Sequence, residues 1–195
     1  MPRLDSITEI RMGATLRGRD ATRPVPDGRF SFLRIGDISQ DGTLTQSDFV
    51  RIEPNEPINE ALILREGDVL FPNRGTRTTA LSFPGSQRPT IAGSQFFILR
   101  PNPKKVSSDY LSWFLRSEIA HLHFEGRRKG SYVQIIQRGD LAELEIPLPP
   151  LSGQHKIVEI ARLAQRERIL SEELTERRWR LANQQLLQAA QKFSA

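Results

Sequence analysis

The apolar positions of this chain fall into two regimes that meet at a proline-rich stretch. Over roughly the first hundred residues they come in short runs rich in β-branched and aromatic residues, bounded by Gly, Pro, Asn and Asp. That is the signature of short strands. Phe30–Ile35, Phe49–Ile52, Val69–Phe71, Ile91 and Phe96–Arg100 are read as strands, and residues 5–17 as a short helix or strand running into a glycine turn. Arg17 to Gly28 is a loop, Glu66-Gly67-Asp68 a turn, and Pro72 to Ala80 a loop. Beyond Pro101 and Pro103 the period changes. Tyr110, Leu111, Phe114, Leu115, Ile119 and Leu122 predict a helix capped by Ser107 or Ser108 and ending near Gly126. A cationic turn, Arg127–Tyr132, leads to a short strand over Val133–Ile136.

The second regime begins after Ile146-Pro147-Leu148-Pro149-Pro150-Leu151. The prolines stop any helix or central strand, and Ser152 offers an N-cap oxygen to a new helix. From Gln154 to Ala195 there is neither Gly nor Pro. Ile157, Ile160, Leu163, Leu170, Leu174 and Leu181 follow a three-four spacing, a narrow coiled-coil-like seam that Glu167 and Arg177 interrupt. At 1.5 Å per residue a helix of roughly 40 residues is about 60 Å long. A body of about 150 residues should measure only some 35–40 Å. Such a rod overhangs its own domain, and its apolar seam calls for a second helix. The expected architecture is α+β: a small mixed or antiparallel β domain over 1–150, then one long coiled-coil-forming helix over 151–195.

Composition narrows the function classes. The 195 residues are 37% hydrophobic and 26% charged, enough to bury a core. There is no Cys, so neither a disulfide framework nor thiolate chemistry is available. No apolar run is long enough to span a membrane, and Met1–Asp5 lacks a secretory signal core, so a cytoplasmic protein is expected. The net charge is a modest +5, but the cations are mostly Arg, with lysine only at 104, 105, 129, 156 and 192. Arg carries a planar fork suited to phosphates and to the guanine edge.

No catalytic constellation emerges. His121 and His123 lie two apart on different helix faces, and His155 near Ser152 has no orienting acid. Asp37, Asp41, Glu66 and Asp68 sit in Gly-containing turns, where an Asp side chain bonds its own backbone. Pro149-Pro150 lacks the flanking Asn and aromatic of an adenine-methyltransferase loop. No cofactor and no metal are expected. Binding is what remains, and three loops carry the donors for phosphate oxygens and base edges. These are Arg17 and Arg19 with Arg23; Arg74 and Arg77 with Thr76, Thr78 and Thr79; and Arg127, Arg128 and Lys129 with Ser131, Tyr132 and Gln134.

Four stretches, in order, resemble the specificity subunits of type I restriction–modification systems. They are Glu66–Gly75, with its Gly-Asp, apolar strand and Arg-Gly; Pro101–Ser117, with Asp109-Tyr110-Leu111; Gly130-Ser131 followed by Ile135 and Leu141; and Ile146–Leu151 with Gln154 and Ile157. Gly153 departs from the family, which usually has an acidic residue before Gln154. Family members typically hold two recognition domains and two spacer helices, so this chain resembles half a subunit. The resemblance implies a non-catalytic subunit that reads double-stranded DNA. Its partners would be a DNA methyltransferase subunit and possibly a restriction subunit. A half-subunit could restore the family geometry by homodimerising through its helix, and a rod of about 60 Å caps the half-site separation at roughly 17 base pairs. The rival expectation is an assembly scaffold whose body binds protein and not DNA.

Overall fold

In the computed structural model, which describes residues 1–18, 22–46, 48–75, 78–128, 130 and 134–193, the short apolar runs build two sheets. The strands are β1 (Thr8–Met12), β2 (Phe30–Leu33), β3 (Val50–Ile52), β4 (Val69–Pro72), β5 (Leu81–Ser82), β6 (Thr90–Ala92) and β7 (Phe96–Pro101). One sheet is antiparallel with the order β1-β7-β4-β5. The other has the order β3-β2-β6, in which β2 and β6 run parallel. Residues 5–17, ambiguous between helix and strand in sequence, resolve into a 3-10 turn at Leu4–Ser6 followed by β1.

Two faces of the antiparallel sheet are covered, which is why β4 is buried at every position and shows no alternation. Leu70 and Ile98, cross-strand partners, share one apolar cluster with Leu33 and Ala92 of the second sheet and with Phe49, Phe83 and Phe96. On the opposite face Phe71 meets Phe124, with ring centroids 5.2 Å apart. The outer side of the second sheet is closed by Phe30, Phe32, Ile52 and Ile91, packed with Leu16 and Leu62. Two of the turn acids, Asp37 and Asp68, bond nearby backbone as the sequence implies. Asp37 accepts the Arg34 N–H at 2.8 Å and the Gln46 amide at 2.8 Å. Asp68 accepts the Arg65 N–H at 2.9 Å.

The single helix expected from Ser107 to Gly126 is two: α1 (Ser108–Leu115) and α2 (Glu118–Glu125). Ser107 caps the first and Ser117 the second, each hydroxyl accepting a backbone N–H three residues on. Arg116, at the break, turns its guanidinium to the Ala80 carbonyl and the Ser112 hydroxyl, both at 2.6 Å. Burial pushes its pKa down against the opposing charges of Asp41 and Asp109. The break re-aims the second helix. Ala120 and Phe124 are buried, whereas Ile119 and Leu122, expected in the core, are 62% and 59% exposed. A short α3 (Arg138–Ala142) follows.

The proline stretch is held from both sides. Ile146 donates its N–H to the Pro2 carbonyl at 3.0 Å, and the buried Tyr110 hydroxyl donates to Pro147 at 2.7 Å. The long helix, α4 (Leu151–Phe193), starts two residues before a Ser152 cap would put it. The Pro150 carbonyl accepts the N–H groups of Gly153 at 2.8 Å and Gln154 at 3.0 Å. Ser152 therefore lies within the first turn, where Gly153 also costs the helix little. Met1–His155 forms one compact unit and Lys156–Ala195 another.

Gln154 lies within the first unit and is fully buried. Its Oε1 accepts the Ser107 N–H at 2.9 Å, and its Nε2 donates to the carbonyls of Lys105 and Pro149, both at 2.9 Å. The amide is thus joined to the loop before α1 and to the proline stretch. Gln154→Ala would leave one donor and two acceptors without this partner. The expected loss in urea unfolding of the full chain is about 2–3 kcal/mol, and a change below about 0.5 kcal/mol would show that these bonds hold nothing.

Candidate nucleic-acid interface

Antiparallel pairing fixes which loops share an end of the sheet. Met12 pairs with Phe97, and Pro72 with Phe96, so the chain leaves β1 and β4 at the end where it enters β7. Asn73, 3% exposed, joins these segments. Its side-chain NH2 donates to the Met12 Sδ at 2.9 Å and to the Ser94 carbonyl at 2.8 Å, and its backbone N–H donates to Gln95 at 2.9 Å.

The Arg74 loop and the cationic loop after α2, more than fifty residues apart in sequence, meet here. Gly75, at φ +83°, where a side chain would be strained, donates its N–H to the Gln134 carbonyl at 2.8 Å. Ile136 donates to the Asn73 carbonyl at 2.9 Å, and Arg74 bridges Ile135. Arg128 Nη1 donates to the Gly75 carbonyl at 2.6 Å.

The individual candidates take different positions. Arg74, Arg127 and Gln134 are exposed around this junction, and Thr78 is half-buried. Arg127 also donates to the His123 carbonyl at 2.9 Å, closing the end of α2. Arg128 points inward. Its Nε and Nη2 are buried with no hydrogen-bond partner among the described residues, and burial pushes its pKa down despite the charge of Glu125. It is built as a staple between the loops. Arg17 is exposed but separate, beside a pocket shared with Pro54–Asn59 at the second sheet. Arg19, Thr76, Arg77, Lys129, Ser131 and Tyr132 lie outside the described residues.

Sequence reasoning missed two residues at this end. Arg34, which follows β2 and is 52% exposed in its side chain, lines a groove of about 360 Å³ with Gln95. Their relation depends on the β2–β6 pairing, Leu33 opposite Ala92, and no local motif announces it. On α4 the seam is uncovered: Ile160 is 66% exposed, Leu163 64%, Leu170 and Leu174 49% each and Leu181 56%. Ile157 is half-buried. The flanks carry (i, i+4) ion pairs, Arg168–Glu172 at 2.8 Å and Glu176–Arg180 at 3.2 Å, which support the helix by a few tenths of a kcal/mol each. Among the described residues no helix is long and apolar enough to cross a membrane.

Comparison with known proteins agrees with this architecture. No curated protein sequence matches the chain. The S subunit of a type I restriction–modification system from M. genitalium superposes with a TM-score of 0.56 at 16% identity, covering 83% of this chain. The HsdS subunit from Thermoanaerobacter tengcongensis gives 0.59 at 23% identity, covering 85%. A structure concerned with complex assembly and conformational transition of the type I R-M system gives 0.57 at 23% identity, also covering 85%. The likeness to these structures lies in the fold, and this chain spans only 37% of the length of each. The family model for the type I restriction modification DNA specificity domain matches residues 1–174, and the chain belongs to that family.

Proposed function

We propose that this chain is the non-catalytic DNA-recognition component of a type I restriction–modification system. Its body reads one half of a bipartite site in double-stranded DNA. Its long helix pairs with the helix of a second copy to set two bodies apart, and the pair recruits a DNA methyltransferase subunit. The observation that supports the reading best is the junction at one end of the antiparallel sheet. There Arg74, Arg127 and Gln134, drawn from distant parts of the chain, present exposed donors on loops tied to each other by backbone bonds. Exposed cations with uncharged donors between them are what phosphate contacts and base contacts require. The uncovered seam of α4 supports the pairing, because apolar side chains exposed by about half or more along one stripe gain by meeting a partner.

Two measurements on the full-length protein test the reading. Light scattering at tens of micromolar should report a dimer, and the double variant Leu170→Asp with Leu174→Asp a monomer. With its methyltransferase partner, the protein should bind duplex DNA with an affinity that falls steeply with salt, by about 0.9 in log–log slope per phosphate neutralised. A wild-type monomer removes the pairing, and a flat salt response points to a protein-binding scaffold.

A further inference from the structure

The turn between β6 and β7 presents one side chain on a backbone that is fixed on every side. Ser94 and Gln95 give their carbonyls to Asn73, at 2.8 and 2.9 Å, and the Phe96 carbonyl accepts the Gly13 N–H at 2.9 Å. Phe96 in turn donates its N–H to Gly93 at 3.0 Å. Three successive carbonyls are therefore engaged by other segments, and none of these bonds involves the side chain of Gln95. That side chain is exposed, and no hydrogen bond to a described residue holds its carboxamide. It stands on the rim of the groove that Arg34 also lines, and the buried Asn73 connects it to Arg74.

From this placement we infer that Gln95 is a specificity-determining residue, reading the major-groove edge of an adenine in an A·T pair. The inference rests on the DNA-recognition reading above. A planar carboxamide offers one donor and one acceptor side by side, matching adenine N7 and N6. It carries no charge for a phosphate, a task that Arg74 and Arg34 on either side can take. A fixed backbone leaves only side-chain freedom to be lost on contact, and this favours discrimination.

The experiment uses the full-length chain with its methyltransferase partner and a randomised duplex library, comparing wild type with Gln95→Ala and Gln95→Glu. Wild type should select a defined sequence. Gln95→Ala should lose preference at one A·T position, by about 5- to 150-fold, with an unchanged salt slope and thermal midpoint. Gln95→Glu should turn that position towards cytosine, whose amino group donates to a carboxylate. Arg74→Ala provides the contrast, weakening all sequences alike and lowering the salt slope by about 0.9. The assignment is overturned if Gln95→Ala selects the wild-type sequence at every position. It is equally overturned if this variant loses affinity uniformly with a shallower salt slope, or if it unfolds. If the wild-type complex selects no sequence at all, the recognition reading itself fails and this inference falls with it.

Discussion

Gly13→Ala is expected to be among the most damaging single methyls that can be added to this fold. A Cβ at residue 13 would stand 2.2 Å from the Gly93 carbonyl oxygen and 2.7 Å from that of Ala92. Both obstacles are backbone, so no rotamer change relieves the overlap. The approach cannot be loosened either, because Ala14 donates to the Ala92 carbonyl at 2.8 Å and Gly13 to Phe96 at 2.9 Å. This is where the chain passes from one sheet to the other. Overpacking of this kind costs about 3 kcal/mol, a large part of the roughly 5–15 kcal/mol that holds a domain together. The thermal midpoint of the full-length protein should fall by about 6–12 °C. Gly139→Ala is the control: nothing lies within 4 Å of its Cβ position in α3, and the change should be neutral or stabilising by up to about 1 kcal/mol. Equal midpoints for the two variants would show that the sheets do not meet as closely as described.

Asp68→Ala should come next in severity. Asp68 is 1% exposed and receives both arms of Arg100, Nε at 2.8 Å on Oδ1 and Nη2 at 2.7 Å on Oδ2. The hydrogen bonds that Arg100 donates to Asp68 raise the Arg100 pKa against the opposing effect of burial. Removing the carboxylate leaves a guanidinium that is 20% exposed without its counter-charge, and the Arg65 N–H without its acceptor. The expected cost is about 3 kcal/mol, measured by denaturant unfolding. The double variant Asp68→Ala with Arg100→Met should be less unstable than Asp68→Ala alone, since it removes the stranded charge as well. If the double variant is the worse of the two, the penalty arises from lost packing rather than from an uncompensated cation.

Most of the strands and the long helix were legible because each rests on local signals: β-branched runs between turn residues, and after the prolines a three-four spacing unbroken by Gly or Pro. The strand β5 was not read, and the strand expected over Val133–Ile136 is, in its described residues, only a bridge at Ile135. What sequence misplaced depends on contacts between distant segments. The apolar period from Tyr110 to Leu122 reads as one helix, but Ser117 caps a second one, and Arg116 is drawn to Ala80, far away in sequence. Ile119 and Leu122 satisfy the period and are nonetheless exposed. At the proposed interface, Arg residues on loops mark candidate segments in the sequence, but not which way each side chain points. Arg128 and Arg127 are neighbours in sequence, yet one faces a carbonyl inside and the other the surface. Gln95 and Arg34 escaped notice because their proximity is a property of strand order, which composition does not encode.

On the proposed reading, in which these loops contact DNA, the bonds among Asn73, Gly75, Gln134 and Ile136 also bear on how new specificities can arise. Exchanging the segment after β4 by itself would bring foreign residues against an unchanged partner loop, and the Arg128 contact would lose its register. Loop grafting, in the laboratory or by recombination between related genes, therefore has to move these two segments as a single cassette.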